Sequence, residues 1–303
     1  MVEYRNPRLP EGINNSARRP LREFVSLTAG VLGLLAAGLT ALGLAARWVA
    51  PRIPFDYEVG LAAPFVAALR EEAGPIEPRI EVYLQGLADR LAPAMGMGPD
   101  MPVRVYYSAE GTVNALATLG GHLVVYRGLI ERMDSENALA MVMGHEIAHV
   151  LHRDPTVSLG RGAAMAVALC ALTGVSSNDI AKQVIGEAGL LTSLSFSRTQ
   201  EKQADSAGLR GLAAVYGHAA GALDLYRTLG GEAASTARLH MDFLDTHPDP
   251  GRRIQAIEAE ARANGWALNA APTPLPDWLP EALAASRARL GADWRDSGAS
   301  APE

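Results

Sequence analysis

The stretch Val142 to Asp154, "VMGHEIAHVLHRD", places two imidazoles and a carboxylate inside an otherwise apolar helical pattern. Residues four apart on an α-helix share one face a turn apart, so His145 and His149 can reach a single ion together. Glu146 lies about 100° further round and can take a proton from a water at that ion without ligating it. This is the H-E-x-x-H spacing of a zinc site with a carboxylate base. Without a metal, burying these groups would strip their hydration with no compensation. A five-residue pattern is short, and chance is the competing reading.

A catalytic zinc takes three protein ligands and keeps one position open. No further histidine follows in H-x-x-G-x-x-H form, and His152, three residues beyond His149, fits a surface or supporting role better than ligation. The stronger candidate lies in "SRTQEKQADSAGL", where Glu201 and Asp205 are again four apart. On a helix both carboxylates face one way, so Glu201 can bind zinc while Asp205 holds the other nitrogen of a zinc-bound histidine. Taken alone, such a pair is ordinarily a solvated face.

These groups need elements to position them. Ser135 is a candidate N-cap for a helix running through "ENALAMVMGHEIAHVLH" and ending before Pro155, with Leu139, Val142, Val150 and Leu151 apolar. A polar helix is expected near 197–212, another near 219–229, and a third after the turn in "HPDPGRRIQAIEAEARANGW". Pro75 to Pro93 shows a helical pattern with Ile80, Val82, Tyr83, Leu84, Leu87 and Leu91. "PVRVYYS" and "GHLVVYR" read as strands, with "GTVNALATLGG" between them as a sheet edge. The expected fold is α+β, mostly helical, with a small antiparallel sheet.

Composition bounds the function. The 303 residues carry a net charge of −6, which offers no basic footprint for nucleic acid. The one cysteine, Cys170 in "AVALCALTG", can build neither a disulfide nor a cysteine zinc site and reads as a small core residue. Phe24 to Ala46 holds no charge over 23 positions and would span about 34 Å as a helix, long enough to cross a bilayer. A core helix or a cleaved leader are the alternatives. Arg5, Arg8, Arg18, Arg19 and Arg22 precede the run while Arg47 and Arg52 follow it, which keeps the amino terminus cytoplasmic. The expected organisation is a tail at 1–23, an anchor at 24–46, a proline-broken connector at 47–75, a catalytic domain at 76–265, and a proline-rich linker with a C-terminal helix at 266–303. An apolar run at 162–175 is too short to span a bilayer and reads as a core helix or a surface membrane contact.

Four stretches in order, "NALATLGGHLVVYRGLI", "GHEIAHVLHRD", "SRTQEKQADSAGL" and "THPDPGRRI", resemble the M48 peptidase family of Ste24-like, HtpX-like and Oma1-like membrane-associated metallopeptidases. The resemblance covers about 101–257 and implies a gluzincin fold with one zinc held by His145, His149 and Glu201, Glu146 as base and Asp205 behind a ligand. It also implies that Asn114 and Ala115 belong to an edge strand that pairs with an extended substrate. The position of the His247 loop near zinc is likewise inferred from the family, where its two readings are a turn residue and a donor to the oxyanion. One N-terminal span is nearer the single-span or periplasmic Oma1-like members than the several-span ones. The implied activity is hydrolysis of peptide bonds in extended or unfolded envelope proteins, by a domain facing the periplasm or exterior from the inner membrane. A membrane-anchored zinc protein that binds clients without cleaving them is the other reading, as a chaperone or assembly factor.

Overall fold

A computed structural model describes residues 20–49, 52–72, 77–162, 196–233, 247 and 250–296. The centre of the molecule is the histidine helix, Glu136–Leu151, in which every residue from Glu136 to Val150 is buried. A helix covered on all sides reads as a continuous apolar run rather than a stripe, which is how "ALAMVMG" looks. Ser135 caps it, its hydroxyl accepting from the Ala138 amide at 3.1 Å.

The glutamate helix, Arg198–Tyr216, packs along the histidine helix and begins in a capping box: the Ser197 hydroxyl accepts from the Gln200 amide, and the Gln200 side chain accepts from the Ser197 amide at 2.9 Å. Where the two helices cross there is no room for a side chain. A methyl group on Gly208 would lie 2.9 Å from the His145 nitrogen and 3.1 Å from the Gly144 carbonyl carbon. This backbone contact lets side chains from both helices meet at one point, and both glycines stand inside the motifs that carry the chemistry.

Three strands cover the other flank: β1 (Arg104–Ser108), β2 (Ala115–Ala117) and β3 (His122–Tyr126), in the order β1-β3-β2. The β2 and β3 strands are antiparallel, as expected, but β1 joins β3 in parallel, so the sheet is mixed. Its centre is β3, buried along His122 to Val125, and a run without polar alternation suits a strand covered on both faces. That leaves β2 as an edge, the role expected for "GTVNALATLGG".

The stretch 47–75 is more than a connector, because Phe55–Glu72 forms an 18-residue helix. Phe55, Ala62, Phe65 and Glu58 are buried, which makes this helix part of the folded body; it begins just after Pro51 and Pro54, the prolines that made the stretch read as a broken connector. The helix expected at 219–229 starts later, as Asp224–Ala233, because Gly221 adopts φ 87° in the preceding turn. The remaining helices are Pro78–Ala94, the arginine helix Pro250–Ala263, and Leu279–Asp296. The proline-rich segment before Leu279 docks on the start of the histidine helix, where the Glu136 amide donates to the Thr273 carbonyl at 2.9 Å and the Thr273 amide to Asn137 at 2.7 Å. Most of the apolar run at 162–175, including Cys170, lies outside the described residues.

The N-terminal helix Pro20–Val49 carries an apolar window, Leu21–Ala45, with a mean hydropathy of 1.9 and no part of it buried against the rest of the chain. By length and composition it can cross a membrane.

Candidate active site

The histidine and glutamate helices bring their polar groups together in a buried cluster. Among the described residues, His145, His149, Glu201 and His247 offer nitrogen and carboxylate atoms that all lie within 4.8 Å of one another. The Nε2 atoms of His145 and His149 are 3.1 Å apart, with Glu201 Oε2 3.5 Å from the first and Glu201 Oε1 3.5 Å from the second. Zinc about 2.0–2.1 Å from each tetrahedral ligand separates neighbouring ligand atoms by about 3.3 Å, so this set has the right size.

The protons say the same. His145 Nδ1 is 3.0 Å from Asp205 and His149 Nδ1 is 2.8 Å from Asp154. A neutral ring that donates through Nδ1 has a bare lone pair at Nε2. With Nδ1 of each ring held by a carboxylate, a metal ion set between the two Nε2 atoms and Glu201 would be ligated by both rings. The donor set and its arrangement therefore fit zinc.

Each supporting carboxylate is itself held. Asp205 accepts from Arg253 Nε at 2.8 Å, from Arg253 Nη2 at 2.6 Å and from the Tyr226 hydroxyl at 2.9 Å. Burial would raise the Asp205 carboxyl, but His145 and Arg253 outweigh it and hold it below the usual range. Arg253 Nη1 also lies 3.1 Å from Glu201. Burial likewise works against the Glu201 carboxylate, and its contacts with His145, His149 and His247 keep it far below an ordinary carboxyl. Asp154 accepts from Gln200 Nε2 at 2.6 Å. Burial opposes charge on His149, yet Asp154 and Glu201 push it up to about 9. Phe196 stacks on the same ring with centroids 3.9 Å apart.

Glu146 stands between this cluster and the sheet. Its Oε2 accepts from the Ala117 amide at 2.9 Å, while its buried Oε1 has no hydrogen-bond donor and lies 3.4 Å from His247 Nε2. The β2 strand beside it turns two positions toward β3: Asn114 O accepts from Tyr126 N and Thr118 N donates to His122 O. By the alternation of an antiparallel pair, the amides of Ala115 and Ala117 point away from β3. Asn114 and Ala115 are both buried on this strand.

His247 is in the site and buried, with Nδ1 2.9 and 3.0 Å from the two Glu201 oxygens. Burial pushes its pKa down. A neutral ring that donates from Nδ1 to Glu201 carries no proton on Nε2, so an oxyanion can be served only after the proton moves to Nε2. His152 caps the end of the histidine helix and lies outside the cluster. The sequence reading missed Asp154, Gln200, Tyr226 and Arg253. Asp154, five residues past His149, carried the one usable signal, a carboxylate just beyond the histidine helix.

A model described as peptidase family M48 matches residues 78–261. A "putative beta-barrel assembly-enhancing protease" of Vibrio cholerae is 29% identical over 220 residues, covering 69% of this chain and 45% of the relative. The "mitochondrial metalloendopeptidase OMA1" of Schizosaccharomyces pombe is 25% identical over 236 residues, covering 76% and 63%. "Protease HtpX" of Stenotrophomonas maltophilia is 28% identical over 289 residues, covering 79% and 98%. The chain thus spans about half the length of the Vibrio relative.

Proposed function

This chain belongs to peptidase family M48, and we propose that it is a membrane-anchored zinc endopeptidase that hydrolyses peptide bonds in extended or unfolded envelope proteins, in protein quality control. One observation carries this reading: the His145, His149 and Glu201 donor atoms converge next to a buried Glu146 oxygen that accepts no hydrogen bond.

In this reading His145, His149 and Glu201 would hold one zinc, and the metal, when bound, supplies a Lewis acid for a water and for the scissile carbonyl. Glu146 is the base. With Oε2 fixed by the Ala117 amide, Oε1 takes the proton of the attacking water and later passes it to the leaving amine, so no covalent intermediate forms. Asp205 and Asp154, each at an Nδ1, would orient the two imidazoles so that their Nε2 atoms face the ion.

The β2 edge, paired with β3 on one side among the described residues, supports the substrate class. An extended segment adding as a further strand would bond to the outward-facing backbone of Ala115 and to the Ala117 carbonyl, the Ala117 amide being held by Glu146, and would run along Asn114. Such pairing reads backbone rather than side chains, and it demands a segment without its own fold. The similarity to a putative β-barrel assembly-enhancing protease supports clients in the envelope. The N-terminal helix would serve as the anchor, with the arginine-rich side cytoplasmic and the catalytic domain outside.

Purified full chain incubated with zinc and unfolded casein should cleave it, and a chelator should stop cleavage until zinc is restored. Binding of casein without cleavage would favour the client-binding alternative instead.

A further inference from the structure

The helix Phe55–Glu72 follows the apolar N-terminal helix and lies outside the family-matched residues 78–261. It nevertheless sends one buried carboxylate into the framework of the active site. Glu58, 3% exposed, accepts from Arg153 Nε and Nη2, both at 2.8 Å, and from the Thr156 hydroxyl. Its other oxygen faces the Gly120 amide at 3.4 Å. The contact at Gly120 is close, since a methyl group there would lie 2.7 Å from the Val59 Cα. Glu58 therefore touches both walls of the site, the turn that follows β2 and the turn that follows the histidine helix.

That second turn is unusual. Arg153 has φ 59° and is the non-glycine residue with positive φ among those described. An L side chain stays in that region only where its surroundings hold it. Here the hold is explicit: the guanidinium is buried, paired with Glu58, and donates to the Ile53 carbonyl at 2.8 Å. The next residue is Asp154, which takes the His149 Nδ1 proton at 2.8 Å.

We propose that Glu58 is a positioning residue for His149: its carboxylate fixes Arg153 in the left-handed turn, the turn aims Asp154, and Asp154 orients the ring. The inference rests on His149 being a zinc ligand. It makes the helix beside the anchor a working part of the catalytic unit rather than a tether. A helix needed only for attachment could be fastened by Phe55, Ala62 and Phe65 alone, whereas a buried carboxylate that must find charged and hydroxyl partners is costly unless its geometry is used.

The test measures zinc affinity by chelator competition, alongside kcat and KM on a casein peptide, in full-length protein. Glu58→Ala should weaken zinc about 10- to 100-fold, the range for losses behind a metal ligand, and lower kcat while KM moves little. Glu58→Gln keeps an acceptor for Arg153 and should recover part of both losses; it also serves if the alanine variant does not fold. Leu283→Ala in the C-terminal helix lowers stability far from this turn and should leave zinc affinity unchanged. Wild-type zinc affinity in both Glu58 variants, or an equal loss in Leu283→Ala, overturns the proposal. Wild-type protein that binds no zinc would instead overturn the reading on which it rests.

Discussion

His145 and His149 leave one helix a turn apart, yet they are held by different kinds of support. The Asp205 behind His145 is fastened by two helical partners, Arg253 and Tyr226, through three hydrogen bonds. The Asp154 behind His149 sits just past a turn and accepts from Gln200, with the strained Arg153 beside it. A carboxylate clamped between helices is set by packing that the whole core defends, whereas one at a turn depends on a few side chains. One histidine is thereby held rigidly, and the other is held where neighbouring elements can act on it.

The largest expected effect attacks the rigid arm. Arg253→Met leaves Asp205 and Glu201 buried without their cation, and breaking such a pair costs about 3–5 kcal/mol. Gln200→Leu, the matching change in the other arm, should cost about 1–3 kcal/mol, the penalty of one unsatisfied buried acceptor. Urea unfolding of the zinc-free proteins compares them, and equal losses would erase the distinction between the arms.

His247 lies between the two, its ring centroid 4.9 Å from His145 and 5.7 Å from His149. His247→Ala should retain zinc and lower casein turnover by about 10²-fold if the ring serves the oxyanion. Loss of zinc from this variant would make His247 a ligand, and unchanged turnover would leave it a turn residue.

Asp205→Asn and Asp154→Asn should each weaken zinc by about 10- to 100-fold, with Asp205 at the upper end because Arg253 also loses its partner. Chelator competition on both variants ranks them directly.

The smallest effect lies at the far end of the histidine helix. Glu136 accepts from Arg90 at 2.6 Å, Tyr216 at 2.7 Å and Tyr83 at 3.0 Å. Burial raises its carboxyl, but these three donors outweigh burial and leave it lowered. A lowered carboxyl stabilises the fold above its unfolded value of about 4.3 and ceases to as the pH falls through the folded value. Glu136→Gln should therefore cost about 1–2 kcal/mol at pH 7, with the gap to wild type narrowing in urea melts as the pH falls below the unfolded value of about 4.3.

The chemistry of the site was legible because its spacing is local. His145, Glu146 and His149 sit within one turn and a half, and Glu201 and Asp205 repeat the four-residue step, so helical geometry alone brings each group to one face. The Ser135 cap and the β3 run were legible for the same reason. What joins the groups was not. Arg253 stands 48 positions from Asp205 and Glu58 stands 95 from Arg153, and no periodicity marks a partner at that distance. "GRRI" reads as a solvated helix start and "FDYE" as part of a proline-broken connector until the fold brings their charges inside. The parallel pairing of β1 with β3 was hidden similarly, since strand order depends on which strand is most buried rather than on turn signals.

The account stands on Glu146 being a base and Glu201 a ligand, and zinc content measured beside casein cleavage in Glu146→Gln and Glu201→Ala separates these roles. Glu146→Gln should keep a full zinc and lose about 10²- to 10⁴-fold in cleavage, while Glu201→Ala should lose zinc and activity together. Wild-type cleavage by Glu146→Gln, or full zinc with normal cleavage in Glu201→Ala, would contradict it.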